Sequence, residues 1–163
     1  MLTRLILLTS IICLFLGCET TPAITSTTVN ITGEAYELEL ALNRDDRERG
    51  LMDRTSIPAH GGMLFVFRDA EERSFWMKNC VIDIDLMFLD SRGTVMSIHR
   101  MVSEEPKDEN ESPWIYEARL KHYWSNGPAR FAIELSAGSL DRLKIEVNDN
   151  IVLDLPLLKR IAR

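Results

Sequence analysis

The chain predicts a β-rich α+β domain: a curled, mostly antiparallel sheet or small barrel with two short helices. Three observations carry this. Apolar and polar residues alternate with period two, as in Tyr36-Glu37-Leu38-Glu39-Leu40-Ala41-Leu42, the pattern of a half-buried strand. A short run, Met63-Leu64-Phe65-Val66-Phe67, is apolar on both sides and fits a central strand covered on both faces. Strand-like segments outnumber helix-like ones, and most connections between them are short.

The elements follow in order. Tyr36 to Leu42 is a strand. Asn43 caps a helix over Arg44 to Met52, with Asp45 and Asp46 favourable in its first turn and Gly50 an interruption near its end. Pro58 to Gly62 is a loop, Met63 to Phe67 the central strand, and Asp69 to Arg73 a charged turn. Phe75 to Asn79 and Asp83 to Leu89 are strands. Ser91-Arg92-Gly93 turns the chain into a strand over Thr94 to Val102. Ser103 to Gly127 is acidic, then aromatic, and reads as a long loop with room for one short element. Arg130 to Ser136 is a strand with Phe131, Ile133 and Leu135 inward and Glu134 toward solvent. Ser139 caps a short helix to Leu143, and Asn150 to Leu155 is the last strand. Lys159 to Arg163 is a basic, frayed tail. Tyr36–Phe67 and Arg130–Leu155 thus share one order of elements, as an internal duplication would. The expected core is Leu38, Leu40, Met63, Phe65, Phe75, Phe88, Phe131 and Ile133.

The N-terminus directs export. Arg4 precedes an apolar run from Leu5 to Leu16, followed by Gly17-Cys18, which is the layout of a secretory signal peptide. The run is shorter than the ~20 residues of a membrane span. Cys18 after a small residue resembles the lipobox of bacterial lipoproteins, with Phe15 where Leu is usual. That resemblance implies cleavage before Cys18 and acylation of its thiol. Glu19 rather than Asp follows, which favours the outer membrane in a Gram-negative source. The organisation expected is therefore a signal peptide over 1–17, a lipid-anchored flexible tether over 18–28, one globular domain over 29–157 and a basic tail over 158–163. The mature chain, roughly 145 residues, is long enough for one domain with a real core.

A net charge of −6 argues against nucleic acid or an anionic lipid surface as the partner. Cys13 leaves with the signal and Cys18 takes lipid, so Cys80 stands alone in the domain and no internal disulfide can form. Cys80 is either a buried small hydrophobe or a nucleophile awaiting a base.

The densest run of functional side chains is Phe75-Trp76-Met77-Lys78-Asn79-Cys80. On a strand, Trp76 and Lys78 share one face about 7 Å apart. They form either a ligand cradle, indole for stacking and ammonium for an anion, or a packed ring with a lysine stem laid over it. Asp83 and Asp85 interrupt an apolar strand. Asp85 needs a partner if its face is covered, and paired carboxylates can also work as acid and base. The methionines at 52, 63, 77, 87, 96 and 101 with His99 raise a copper site, but they sit where core packing would put them, and no metal or cofactor is assigned. No phosphate loop, nucleophile elbow or zinc spacing is present.

Several motifs in register carry a family resemblance: Arg49-Gly50-Leu51-Met52, Gly62 to Phe67, Phe75 to Asn79, Asp85 to Asp90, Ala129 to Leu135 and Ala137-Gly138. The chain resembles, over about residues 30 to 156, the domain-of-unknown-function 192 family, also called uncharacterised protein family 0127. The resemblance implies a compact β-rich α+β domain, often exported, and no agreed activity. Cys80 stands where the family usually has Thr, which weighs against a family-wide nucleophile. The segment from Glu104 to Tyr123 is longer than usual.

The functional expectation is a binding or accessory module with a cleft for a small polar or carbohydrate-like ligand, lined by Trp76, Lys78, Asn79, Asp85 and Arg49. Two rivals stand beside it. One is a hydrolase using Asp85 and Glu134 with Lys78. The other is a structural envelope protein that docks a partner through Trp114 and Trp124.

Overall fold

The computed structural model describes residues 25–162. The signal peptide, Cys18 and all but the end of the tether lie outside the described residues. Strand β1 (Ser26–Ile31) and β2 (Glu34–Ala41) form a hairpin. Its turn, Thr32-Gly33, has positive φ at both positions, the two-residue geometry that matches strand twist. Helix α1 (Arg44–Arg49) follows, with Asn43 accepting from the Asp46 amide. The chain then enters β3 (Gly61–Phe75), which runs parallel to β2. Strands β4 (Ile84–Leu89) and β5 (Val95–Met101) form a second hairpin. Helix α2 (Pro113–Arg119) precedes β6 (Tyr123–Ser136), and α3 (Ser139–Leu143) and α4 (Leu155–Ile161) close the chain.

The strands make one six-stranded sheet in the order β1-β2-β3-β6-β4-β5. All neighbouring pairs are antiparallel except β2 and β3. The fold is α+β, as expected. The sheet is mixed and open, so the barrel alternative is not realised, and four short helices replace the two expected.

Both faces of the sheet are covered. On one, Tyr36, Leu38, Leu64, Val66, Met87, Phe131, Ile133 and Leu135 pack under Leu140, Leu143, Ile145, Ile151 and Leu158. On the other, Met63, Phe65, Phe67, Leu86, Phe88 and Ala132 pack with Leu51, Met77 and Cys80. Full burial of one such large side chain contributes about 1.5–3 kcal/mol. The expected core residues are buried except Phe75. Phe75 is half-buried and meets Phe65 and Phe88 edge-on, at 4.8 and 5.2 Å between ring centres.

Several boundaries differ from the sequence reading. Strand β1 begins at Ser26, inside the stretch assigned to the tether. Asp69 to Arg73 is no turn but the middle of β3, which shifts register against β6 between Val66 and Glu71. Past Phe65 this strand has lost β2 and pairs only with β6, so water reaches it and charged side chains are tolerated. The expected strand Phe75–Asn79 does not form. β3 ends at Phe75, and Lys78-Asn79 is a turn with Asn79 left-handed, φ 54°. Asn150 makes one isolated bridge to Thr94, and the expected last strand is instead a loop leading to α4. Asp154 accepts from Leu157 N–H there and Pro156 occupies the first turn. The tail read as frayed is therefore helical to Ile161, with Leu158 buried. The two segments compared as a duplication accordingly end differently.

Candidate functional site

A cleft of about 430 Å³ opens on the face of the sheet that carries Phe65 and Phe67. Its roof is α1 and the turn after it. One wall is the outer half of β3, with Phe67, Arg73 and Phe75, and the turn bearing Trp76, Lys78 and Cys80 forms another. Glu134 of β6 is at the floor.

Register puts Glu134 there. It sits opposite Met63 of β3 and Leu86 of β4, and directly opposed residues of antiparallel strands point to the same face. That face is covered, so Glu134 is only 5% exposed. The expectation that it faces solvent is wrong, because it assumed one wet face. Gly50, with φ 49°, lets the roof come close. A Cβ there would lie 3.5 Å from Glu134 Oε2 and 3.3 Å from the Phe65 ring. Oε2 is buried with no hydrogen-bond partner. Burial pushes the carboxyl up to about 8, so at neutral pH it is mostly protonated and can donate a hydrogen bond.

Cys80 also lines the cleft. Burial, then the charges of Glu134 and Asp53, push its thiol up to about 12. A thiol so held is a poor nucleophile at neutral pH, which favours the small-hydrophobe reading.

Trp76 and Lys78 do come together, though not by strand alternation. The ammonium lies 5.6 Å from the centre of the indole ring, and it ion-pairs with Glu117 of α2. Arg49, at the end of α1, reaches the same cleft, and its guanidinium makes no hydrogen bond or ion pair among the described residues. Asn79 does not join them. Its amide donates to Tyr116 Oη (3.0 Å), and its side chain borders a separate hollow with Val81, Ser103 and Tyr116.

Asp85 is on the wrong side. It shares a strand face with Met87, which belongs to the opposite core, whereas Glu134 stands beside Leu86. Its Oδ2 accepts from Leu140 N–H at 2.8 Å, at the start of α3, where Gly138 offers no side-chain cap. Burial raises its pKa and the Leu140 bond opposes that. Asp85 is a structural acceptor, and the expected single cleft with Trp76 and Lys78 does not form around it. The hydrolase pairing of Asp85 with Glu134 fails for the same reason. Asp83 is exposed and accepts from the Ser103 amide (2.8 Å). Met63, Met77, Met87 and Met101 are buried in the two cores.

The long loop contains α2, whose Tyr116 is buried while Trp114 is 77% exposed. Part of its acidic run is tied down, Glu111 to Arg119 and Glu104 to the Lys121 amide. Trp124 stacks on His122, which in turn lies 5.5 Å from Trp76.

Sequence reasoning missed Arg73, and it named Glu134 only in the hydrolase pairing, with its side chain expected toward solvent. The available signal was an acid inside Phe131-Ala132-Ile133-Glu134-Leu135, a run apolar on both sides of it.

Fold and cleft together define a small α+β domain whose open mixed sheet carries a half-polar cavity on one covered face. The chain belongs to the DUF192 family, described as "Uncharacterized ACR, COG1430", whose model matches residues 26–153. Among solved structures it is similar to a "putative transcription regulator" from Sinorhizobium meliloti 1021. The identity is 28%, with 80% of this chain and 97% of that one covered, at a TM-score of 0.61. It is also similar to a protein of unknown function from Novosphingobium aromaticivorans. There the identity is 27%, with 78% and 84% covered, at a TM-score of 0.59. No curated protein matches.

Proposed function

We propose that the chain is an exported, lipid-anchored binding module whose cleft takes a small polar ligand. One observation carries this: the buried, unpartnered Oε2 of Glu134 at the cleft floor. A buried polar atom without a partner costs about 1–3 kcal/mol. A ligand group that hydrogen-bonds there recovers part of that cost. Trp76 supplies a ring for stacking, and Phe65 and Phe67 an apolar wall. Residues 1–18, with a basic start, an apolar run and Gly17-Cys18, support export and a membrane anchor. A net charge of −6 opposes contact with nucleic acid. Docking through α2 is the second reading, favoured by the exposure of Trp114.

The test is a thermal-shift screen of the full chain against sugars, amino sugars, sugar acids and amino acids. A stabilising compound should lose its effect in Trp76→Ala and Glu134→Leu, while both variants keep a cooperative melt. A shift that survives both changes, or that is lost only in Trp114→Ala, would reject the cleft and favour docking.

A further inference from the structure

We propose that the cleft is an anion site, whose ligand carries a carboxylate or phosphate seated among Arg49, Arg73 and Lys78, with its uncharged part against Trp76 and toward Glu134. This rests on the binding-cleft reading and names the ligand class.

The argument begins with what lines the cavity. Arg44, Arg47, Arg49, Arg73 and Lys78 stand against only two carboxyls, Glu48 and Glu134, and the second is held largely neutral at pH 7 by its burial. Arg44 pairs with Glu48 within the lining, and the counter-charges of Arg73 and Lys78 lie outside it. Arg73 pairs with Asp69 and Glu71, and Lys78 with Glu117. The lining thus carries a surplus of positive charge.

Two guanidiniums also converge on one ring. Arg73 lies 4.2 Å and Arg47 5.4 Å from the centre of Phe67. Arg47 is fixed by the carbonyls of Leu42 (2.6 Å) and Val66 (3.2 Å). Burial first, and then the charge of Arg73, lower its pKa. Bringing like charges together in a half-buried place is unfavourable, and a bound anion relieves it.

Unmet hydrogen-bonding capacity points the same way. Arg73 Nε is buried with no partner, as is Glu134 Oε2, so one cleft holds a spare donor and a carboxyl that can donate when protonated. The Arg49 guanidinium lines the cleft and is unengaged among the described residues. Donors without acceptors suit an oxyanion, and guanidinium geometry matches carboxylate and phosphate in particular. Trp76, beneath the Lys78 ammonium, offers a ring face to the apolar or sugar-like remainder of such a ligand.

The experiment is calorimetric titration of the full chain with inorganic phosphate, with glucuronate and with glucose, at low and at tenfold higher salt. At least one of the two anions should bind saturably, weaken severalfold in high salt, and weaken about fivefold or more in Arg49→Ala/Lys78→Ala. The melting temperature of that variant should match wild type, which separates lost binding from lost folding. Absence of a saturable response to both anions would overturn the anion site. Glucose binding as tightly as glucuronate, indifferent to salt and to the double variant, would also overturn it, while leaving the cleft as a site for neutral ligands. Anion binding unchanged in the double variant would place the charge elsewhere and equally reject the assignment.

Discussion

Replacing Glu134 by Gln should change how the protein's stability depends on pH. In the unfolded chain a Glu carboxyl titrates near its reference value of 4.5, and in the folded chain burial lifts it to about 8. Between those values the folded state holds a proton that the unfolded state has released, so stability falls as pH rises. The relative stability is fully present below pH 4.5 and is lost as pH climbs to 8. Integrating between pH 5 and pH 8 gives a loss of about 3–4 kcal/mol from this one group. Gln has nearly the same shape and no charge to bury, so its variant lacks this term. Other titrating groups are common to both proteins and cancel in the difference. Urea denaturation at pH 5, 6.5 and 8, followed by tryptophan fluorescence, measures it. The two proteins should differ by less than about 1 kcal/mol at pH 5, with Glu134→Gln increasingly the more stable toward pH 8. Parallel profiles would show that the carboxyl is hydrated in the folded state, and the account of the cleft floor would fall with it.

Three other outcomes are expected. Phe65→Ala removes a ring from the middle of the sheet and should cost roughly 3–5 kcal/mol by urea melt; a loss below about 1 kcal/mol would mean the ring is not core. Asp85→Ala leaves the buried Leu140 N–H without its acceptor and should cost about 1–3 kcal/mol, while Asp85→Asn, which keeps an acceptor, should cost less. Equal losses in the two variants would contradict the capping role. Cys18→Ser should abolish incorporation of radiolabelled fatty acid in cells, and labelling at the wild-type level would dismiss the anchor.

What the sequence made legible depended on contacts near in the chain or on a regular period. The β2 alternation, the Asn43 cap and the doubly apolar run at Met63–Phe67 were readable because each is a local pattern. So was the layer formed by Phe131, Ile133 and Leu135. The errors share a physical origin. Asp69 to Arg73 looked like a turn because charge suggests solvent, yet a strand paired on one side only can be charged and still continue. Phe75 to Asn79 looked like a strand, but β3 stops at Phe75 and the chain turns at Lys78-Asn79, where Asn79 is left-handed. Asp154-Leu155-Pro156 carried a cap and a first-turn proline, outweighed in the reading by the apolar residues around them. For Glu134 the alternation was right and the inference wrong: the second face of the sheet was assumed wet. Whether a face is covered depends on α1 and the turn at Trp76–Cys80, which are far from Glu134 in sequence. Local pattern cannot report that.

The single parallel pair, β2 with β3, has a consequence for how the cleft moves. A parallel neighbour requires the chain to cross over, and the crossover here is the segment from Leu42 to His60 that supplies the roof. The floor belongs to β6, wedged between β3 and β4 with buried residues from Phe131 to Leu135. The roof belongs to α1, which has six residues and buries none of them. The two sides of one cavity should therefore differ in how readily they open, since local opening follows the density of buried contacts. A ligand would enter by lifting a strap, over a base that yields only when the domain unfolds. Amide exchange makes the asymmetry visible: α1 should exchange through local opening and slow markedly when the cleft is occupied, while β6 should exchange only with global unfolding. Equal protection of α1 and β6 in the empty protein would show the cavity to be a rigid chamber with no strap at all.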